Sequence, residues 1–138
     1  MMKRTQFVTA AVLALLAGSA SAATATWTVS VAGPGGHSNG DYGNVNAVHA
    51  AARAVMAIGK ALPDAVIAGM KGGATVNAIA SDCTFTVTAS GDDKTLAAAK
   101  AAVEKAVADA AAAENAFRGV KKGDTVRGAP AEIRVTVK

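Results

Sequence analysis

Ala65-Val66-Ile67-Ala68-Gly69-Met70, stopped by Lys71-Gly72-Gly73, is followed after a short interval by Cys83-Thr84-Phe85-Thr86-Val87-Thr88. The first run is short and apolar. The second alternates, with Cys83, Phe85 and Val87 on one face, so both read as strands. With no helical pattern between them, they are expected to pair antiparallel. On the N-terminal side, Val48, Ala51, Val55, Ile58 and Leu62 recur at spacings of three and four, which predicts a helix over 44–62 that ends at Pro63-Asp64. His49, Arg53 and Lys60 fall mostly on its other side. On the C-terminal side, Ser90-Gly91-Asp92-Asp93 offers a variant capping box with Ser90 as the cap. Leu96, Ala99, Val103, Ala106, Ala110, Ala113 and Phe117 then carry the apolar stripe of an alanine-rich second helix. Further out, 26–32 (TWTVSVA) and 132–138 (EIRVTVK) alternate as the first and last strands, and 118–130 (RGVKKGDTVRGAP) reads as a basic loop. With right-handed crossovers the order strand, helix, strand, strand, helix, strand predicts an α+β ferredoxin-like sandwich, a four-stranded antiparallel sheet with two helices on one face.

The first residues have a different character. Lys3 and Arg4 precede an apolar run over 7–17, and Ala20-Ser21-Ala22 supplies small residues at an Ala-x-Ala exit. This is the layout of a secretory signal peptide over 1–22, with cleavage expected after Ala22. The apolar run is too short to span a bilayer. The mature part, 23–138, is expected to be periplasmic or extracellular, with no membrane association after cleavage. It is long enough for one core and too short for two conventional domains. Losing Lys3 and Arg4 lowers the formal charge from +4 to +2. That balance, with aromatics scattered rather than interleaved with basic residues, excludes a nucleic-acid binder. Cys83, the single cysteine, cannot close an intramolecular disulfide and reads as a small buried apolar residue.

No residue set carries independent catalysis. His37, His49 and Cys83 have no zinc-ligand spacing, and Asp41, Asp92, Asp93 and Asp124 do not form a calcium loop. The glycines over 33–40 match neither a phosphate loop nor a dinucleotide fingerprint. Ser38 adjoins His37 without an activating base and acid in view. No metal and no cofactor are therefore expected.

Two motifs carry a resemblance. Val29-Ser30-Val31-Ala32-Gly33-Pro34-Gly35-Gly36-His37-Ser38, with Gly43-Asn44-Val45-Asn46-Ala47-Val48 opening a helix, is one. Met70-Lys71-Gly72-Gly73-Ala74-Thr75-Val76-Asn77-Ala78-Ile79-Ala80 is the other. In this order and on these elements, the chain resembles the dimerisation (lid) domain of the zinc exopeptidase family that contains carboxypeptidase G, aminoacylases, carnosinases and succinyl-diaminopimelate desuccinylase. The resemblance implies that His37 reaches the partner subunit's active site and hydrogen-bonds the scissile carbonyl, and that Asn77 binds substrate. It also implies a homodimer through an edge strand, Val66, Ile67, Ala68, Gly69 and Met70, with the helix over 44–62 beside it. Two departures bear on substrate binding: Ala80 stands where the family has proline, and the arginine that ends the third strand falls at about Ser90. Plainer roles for His37 and Asn77 are the capping of a turn and the backbone conformation of a tight connection.

The family's metal ligands belong to a separate zinc domain, so no enzyme is expected here. The expectation is an exported, non-catalytic, stand-alone module for self-association or protein–protein interaction. One alternative is an accessory subunit that lends His37 and Asn77 to a zinc exopeptidase. Another is a ferredoxin-like protease inhibitor acting through 132–138.

Overall fold

The computed structural model describes residues 22–138. The leader read at 1–22 lies outside the described residues, apart from Ala22. In chain order the elements are β1 (Ala23–Ala32), β2 (Gly36–His37), α1 (Ala47–Ala61), β3 (Val66–Gly72), β4 (Ala78–Ile79), β5 (Asp82–Gly91), α2 (Asp93–Phe117), β6 (Thr125–Val126), β7 (Ala129–Pro130) and β8 (Arg134–Val137). The four long strands lie in the order β3-β5-β1-β8 with every neighbour antiparallel. This is the expected α+β sandwich of ferredoxin-like order.

The centre of the sheet is β1 on β5, in register from Ala23 opposite Gly91 to Ala32 opposite Asp82. Trp27, Val29, Val31, Cys83, Phe85 and Val87 point under the helices and are buried. The alternate residues form an open face of threonines and serines, where the hydroxyls of Thr26 and Thr88 lie 2.8 Å apart and those of Thr24 and Ser90 3.0 Å apart. Both strands run past their expected ends, through Ala23-Thr24-Ala25 and Ala89-Ser90-Gly91. The small residues at those ends carry little apolar–polar contrast, and it is the cross-strand partner that holds each of them in the ladder.

The helix starts differ from expectation by local capping. For α1 the cap is Asn46, whose Oδ1 accepts from the Val48 and His49 N–H groups, while the Asn44 side chain turns back to donate to the Gly35 carbonyl at 2.8 Å. For α2 the cap is Asp92, accepting the Thr95 N–H at 2.7 Å, and not Ser90, which remains in β5 opposite Thr24. The buried stripe of α1 centres on Ala47, Ala50, Ala51, Ala54 and Ile58, with Val48 and Val55 at its margin. Alanine side chains let both helices lie close to the sheet, and Phe85, Trp27 and Ile58 are among the largest apolar side chains buried between the layers.

In α2 the expected stripe is correct as far as Ala110 and then turns. Ala111 and Glu114 are buried, whereas Ala113 is exposed and Phe117 is 67% exposed. The expected positions step by 3.5 residues, and a straight helix of 3.6 drifts by roughly 60° from that pattern over three heptads. Glu114 is thereby carried into the contact between the helices. It has no exposed surface, and its carboxylate accepts from Asn46 N–H (3.1 Å), Arg53 Nε (3.3 Å) and Arg118 Nε (3.3 Å). Both guanidinium groups lie over the Phe117 ring, with Arg53 5.4 Å and Arg118 5.1 Å from its centroid.

Two features were not expected. Within 118–130, β6 and β7 form a small hairpin joined by Arg127-Gly128, with φ of 49° and 79°, as a two-residue type I′ turn requires. In the edge strand β3, the register against β5 shifts between Ala68 and Lys71, at a bulge where Gly69 has φ of 65°. Among the described residues, no helix is long and apolar enough to cross a membrane.

Candidate functional site

The segment after β1 is held from both sides. Gly33 N–H donates to the Ser81 carbonyl (2.8 Å), Ser38 N–H to the Asn77 carbonyl (2.9 Å) and Ala47 N–H to the Ala80 carbonyl (3.0 Å). Between these ties, β2 pairs with β4, Gly36 opposite Ile79 and His37 opposite Ala78. Gly36 permits the close turn: its φ is 144°, and a Cβ there would lie 2.6 Å from Asp41 Cβ. The two motif segments are thus stitched together, and His37 and Asn77 meet, with the Asn77 amide nitrogen 3.2 Å from His37 Nε2.

The donors and acceptors around the ring fix its state. A neutral imidazole has one N–H and one lone-pair nitrogen. His37 Nδ1 accepts the Asn39 N–H at 3.2 Å, so the proton sits on Nε2. Two donors do not bond, and an amide's oxygen and nitrogen exchange by a half-turn. The consistent arrangement has the Asn77 carbonyl oxygen accepting from Nε2–H and its NH2 donating to Thr75 Oγ1, 2.7 Å from the other end of the amide. His37 Nε2–H and the Asn77 amide are both exposed. With Nε2–H given to Asn77 and one amide N–H to Thr75, the pair offers a ligand the second Asn77 N–H and a remaining lone pair on its oxygen, one donor and one acceptor, a set suited to a carbonyl, carboxylate or amide group.

Asp41 fixes the loop beneath this pair. Its Oδ2 accepts the His37 N–H at 2.7 Å, and its Oδ1 accepts from the Arg127 guanidinium at 2.7 Å. The His37 N–H, and then Arg127, hold the carboxyl below its ordinary value of 3.8 against the opposing effect of desolvation. A depressed folded value means that this contribution to stability is complete above the ordinary value and is lost as pH falls through the depressed one. Replacing Arg127 by asparagine, which tolerates positive φ, is expected to keep the β6–β7 turn while the Asp41 titration moves up toward its ordinary value. Side-chain carboxyl NMR over an acid titration measures this, and an unmoved Asp41 curve would show that Arg127 has no hold on the loop.

The remaining sequence-selected residues sit elsewhere. Val66, Ile67, Ala68, Gly69 and Met70 lie on β3, which among the described residues has no strand on its outer side. Val66 is 62% exposed, Met70 is 44% exposed, and Ile67 is half-buried against the core. Ser90 lies at the opposite end of β5 from Asp82, the end tied to the His37 loop. Cys83 is fully buried, and burial, followed by the neighbouring Asp82, pushes its thiol up, so it packs as an apolar group. An apolar groove of about 520 Å³ opens by Leu62, Pro63, Ala89, Ser90, Lys94 and Ala98; Ser90 lines it, whereas His37, Asn77 and the residues 66–70 do not. Among the described residues, no three His, Cys, Asp or Glu side chains converge as a metal site.

The family model described as the peptidase dimerisation domain matches residues 20–115. No curated protein sequence matches significantly. Among solved structures, the chain is similar to an aminobenzoyl-glutamate utilization protein from Klebsiella pneumoniae, with a TM-score of 0.64 and 21% identity over 85% of this chain and 28% of that one. A hydantoinase/carbamoylase-family amidase from Burkholderia multivorans gives 0.62 and 19%, over 85% of this chain and 27% of that one. A tripeptidase from Staphylococcus aureus gives 0.56 and 16%, over 85% and 29%. The chain thus spans less than a third of the length of each. At these identities the likeness concerns the fold.

Proposed function

Because the chain belongs to the peptidase dimerisation domain family, we propose that it works as an exported self-association module with no catalysis of its own. The observation that carries this reading is the edge of β3, left unpaired among the described residues, where Val66, on the open face opposite Thr88, and Met70 are exposed; α1, which packs against β3 from the helix side, carries Met56, 77% exposed. An unpaired strand edge flanked by exposed apolar side chains is a pairing surface. A second copy offers the same strand and the same methionines, so a two-fold pairing satisfies both. Size-exclusion chromatography with light scattering on the protein is expected to give a dimer at micromolar concentration, and a single monomeric species would overturn the proposal. Export rests on the leader over 1–22. N-terminal sequencing of the exported protein is expected to begin at Ala23, and a retained Met1 would refute it.

The His37–Asn77 pair favours a second role within the same family setting. A neighbouring zinc exopeptidase would receive from it a donor for a substrate carbonyl. This role predicts that the protein alone hydrolyses no peptide or N-acyl amino acid, but changes the activity of an exopeptidase that it binds. An inhibitor acting through 132–138 has less support, because Thr28 and Lys138 exchange both backbone hydrogen bonds, which holds that segment in the sheet.

A further inference from the structure

The direction of the free backbone groups on β3 limits how a second copy can pair with it. Thr28 exchanges its N–H and C=O with Lys138 beyond β8, at 2.7 and 3.0 Å, so the even residues of β1 face β8 and the odd ones face β5. Antiparallel ladders alternate. Since Trp27 lies opposite Val87 and Val29 opposite Phe85, the odd residues of β5 face β1 and the even ones face β3. Val66 and Ala68 lie opposite Thr88 and Thr86, so their backbone groups are used within the sheet. Thr86 Oγ1 also donates to the Ala68 carbonyl at 3.2 Å, as that direction requires. Ile67, between them, turns its N–H and C=O outward.

The outward positions on either side of Ile67 are impaired. Ala65 N–H is already donated to the Leu62 carbonyl at 3.0 Å. On the other side the bulge at Gly69 and Met70, with Gly69 at φ 65°, breaks the regular outward spacing. We infer that β3 pairs with a second copy about a two-fold axis at Ile67, each Ile67 exchanging its N–H and C=O with the partner's Ile67. This inference rests on the self-association proposed above and adds its register. It sets Val66 of each copy opposite Ala68 of the other, in a closely spaced pair without mutual backbone bonds, with Cα atoms about 4.5 Å apart. Both side chains are exposed. Like residues, Val66 with Val66 or Ala68 with Ala68, are then offset by two positions along the strands, beyond disulfide reach.

The test uses cysteines at these two exposed positions in the full chain expressed with its leader, with oligomeric state measured on the same samples by light scattering. The V66C/A68C double variant is expected to form a covalent dimer under mild oxidation. V66C alone, A68C alone and the native chain with buried Cys83 are expected not to. Self-crosslinking of A68C alone would shift the axis toward the bulge, and self-crosslinking of V66C alone would shift it toward Ala65. Either result overturns the register while leaving the dimer. A dimer in which no variant crosslinks overturns the register about Ile67, and a monomer removes both the register and the self-association.

Discussion

Replacing Glu114 by alanine is expected to lower the unfolding free energy by about 3–5 kcal/mol, the usual loss when one partner of a buried ion pair is removed. Ordinary domains have only about 5–15 kcal/mol in hand. The carboxylate is wholly buried and accepts from Asn46 N–H, Arg53 Nε and Arg118 Nε. Arg53 is 42% exposed and can return to water, so its share is small. Arg118 is only 20% exposed, and the Asn46 N–H heads α1, so both lose an acceptor that water replaces poorly. Glu114→Gln keeps an oxygen for Asn46 and is expected to cost less than Glu114→Ala. Urea unfolding measures both. A loss below about 1 kcal/mol for the alanine variant, the scale of a neutral surface change, would mean that the triad is not a structural centre.

Phe85→Ala is the other large effect, with an expected loss of about 3–5 kcal/mol. Phe85 is 1% exposed on the central strand, and the helix faces above it are mainly alanine. An alanine cannot extend into the space that a lost phenyl ring leaves, so the cavity persists unless whole helices settle toward the sheet. The expected signature is a lower urea midpoint with an unchanged slope. A lowered slope would instead report a native state that has loosened, and a shift of less than about 1 kcal/mol would show that the helices close the gap.

How far the fold could be read in advance depended on contrast between neighbouring side chains. Trp27, Val29 and Val31 alternate with threonine and serine, and Cys83, Phe85 and Val87 do the same, so the central strands were plain. Their ends, Ala23 and Gly91, lacked contrast and are held by each other. The alanines of α2 left its phase open, and Phe117 drew the expected stripe toward itself although the helix buries Glu114 there. Arg118, one turn beyond Glu114, was the available sign of an internal ion pair. His37 and Asn77 could each be picked out by resemblance. Their contact could not, because it depends on β2 and β4, two residues each and far apart in the chain. Arg127 on Asp41 was hidden for a similar reason, and Arg-Gly is a weaker turn signature than Asn-Gly.

The two edges of the sheet are unlike. β8 is short, Arg134–Val137, and is bordered by Glu132 and Lys138, with Arg134 on the strand itself. Charged, brief edges discourage pairing. Were β8 as receptive as β3, copies could join head to tail, each addition leaving a fresh end, and the product would be an open filament. With one receptive edge, a copy docked at β3 presents no second such strand to a third. In the pairing proposed at β3, growth of the sheet stops at closure, with two copies and no free end of the same kind.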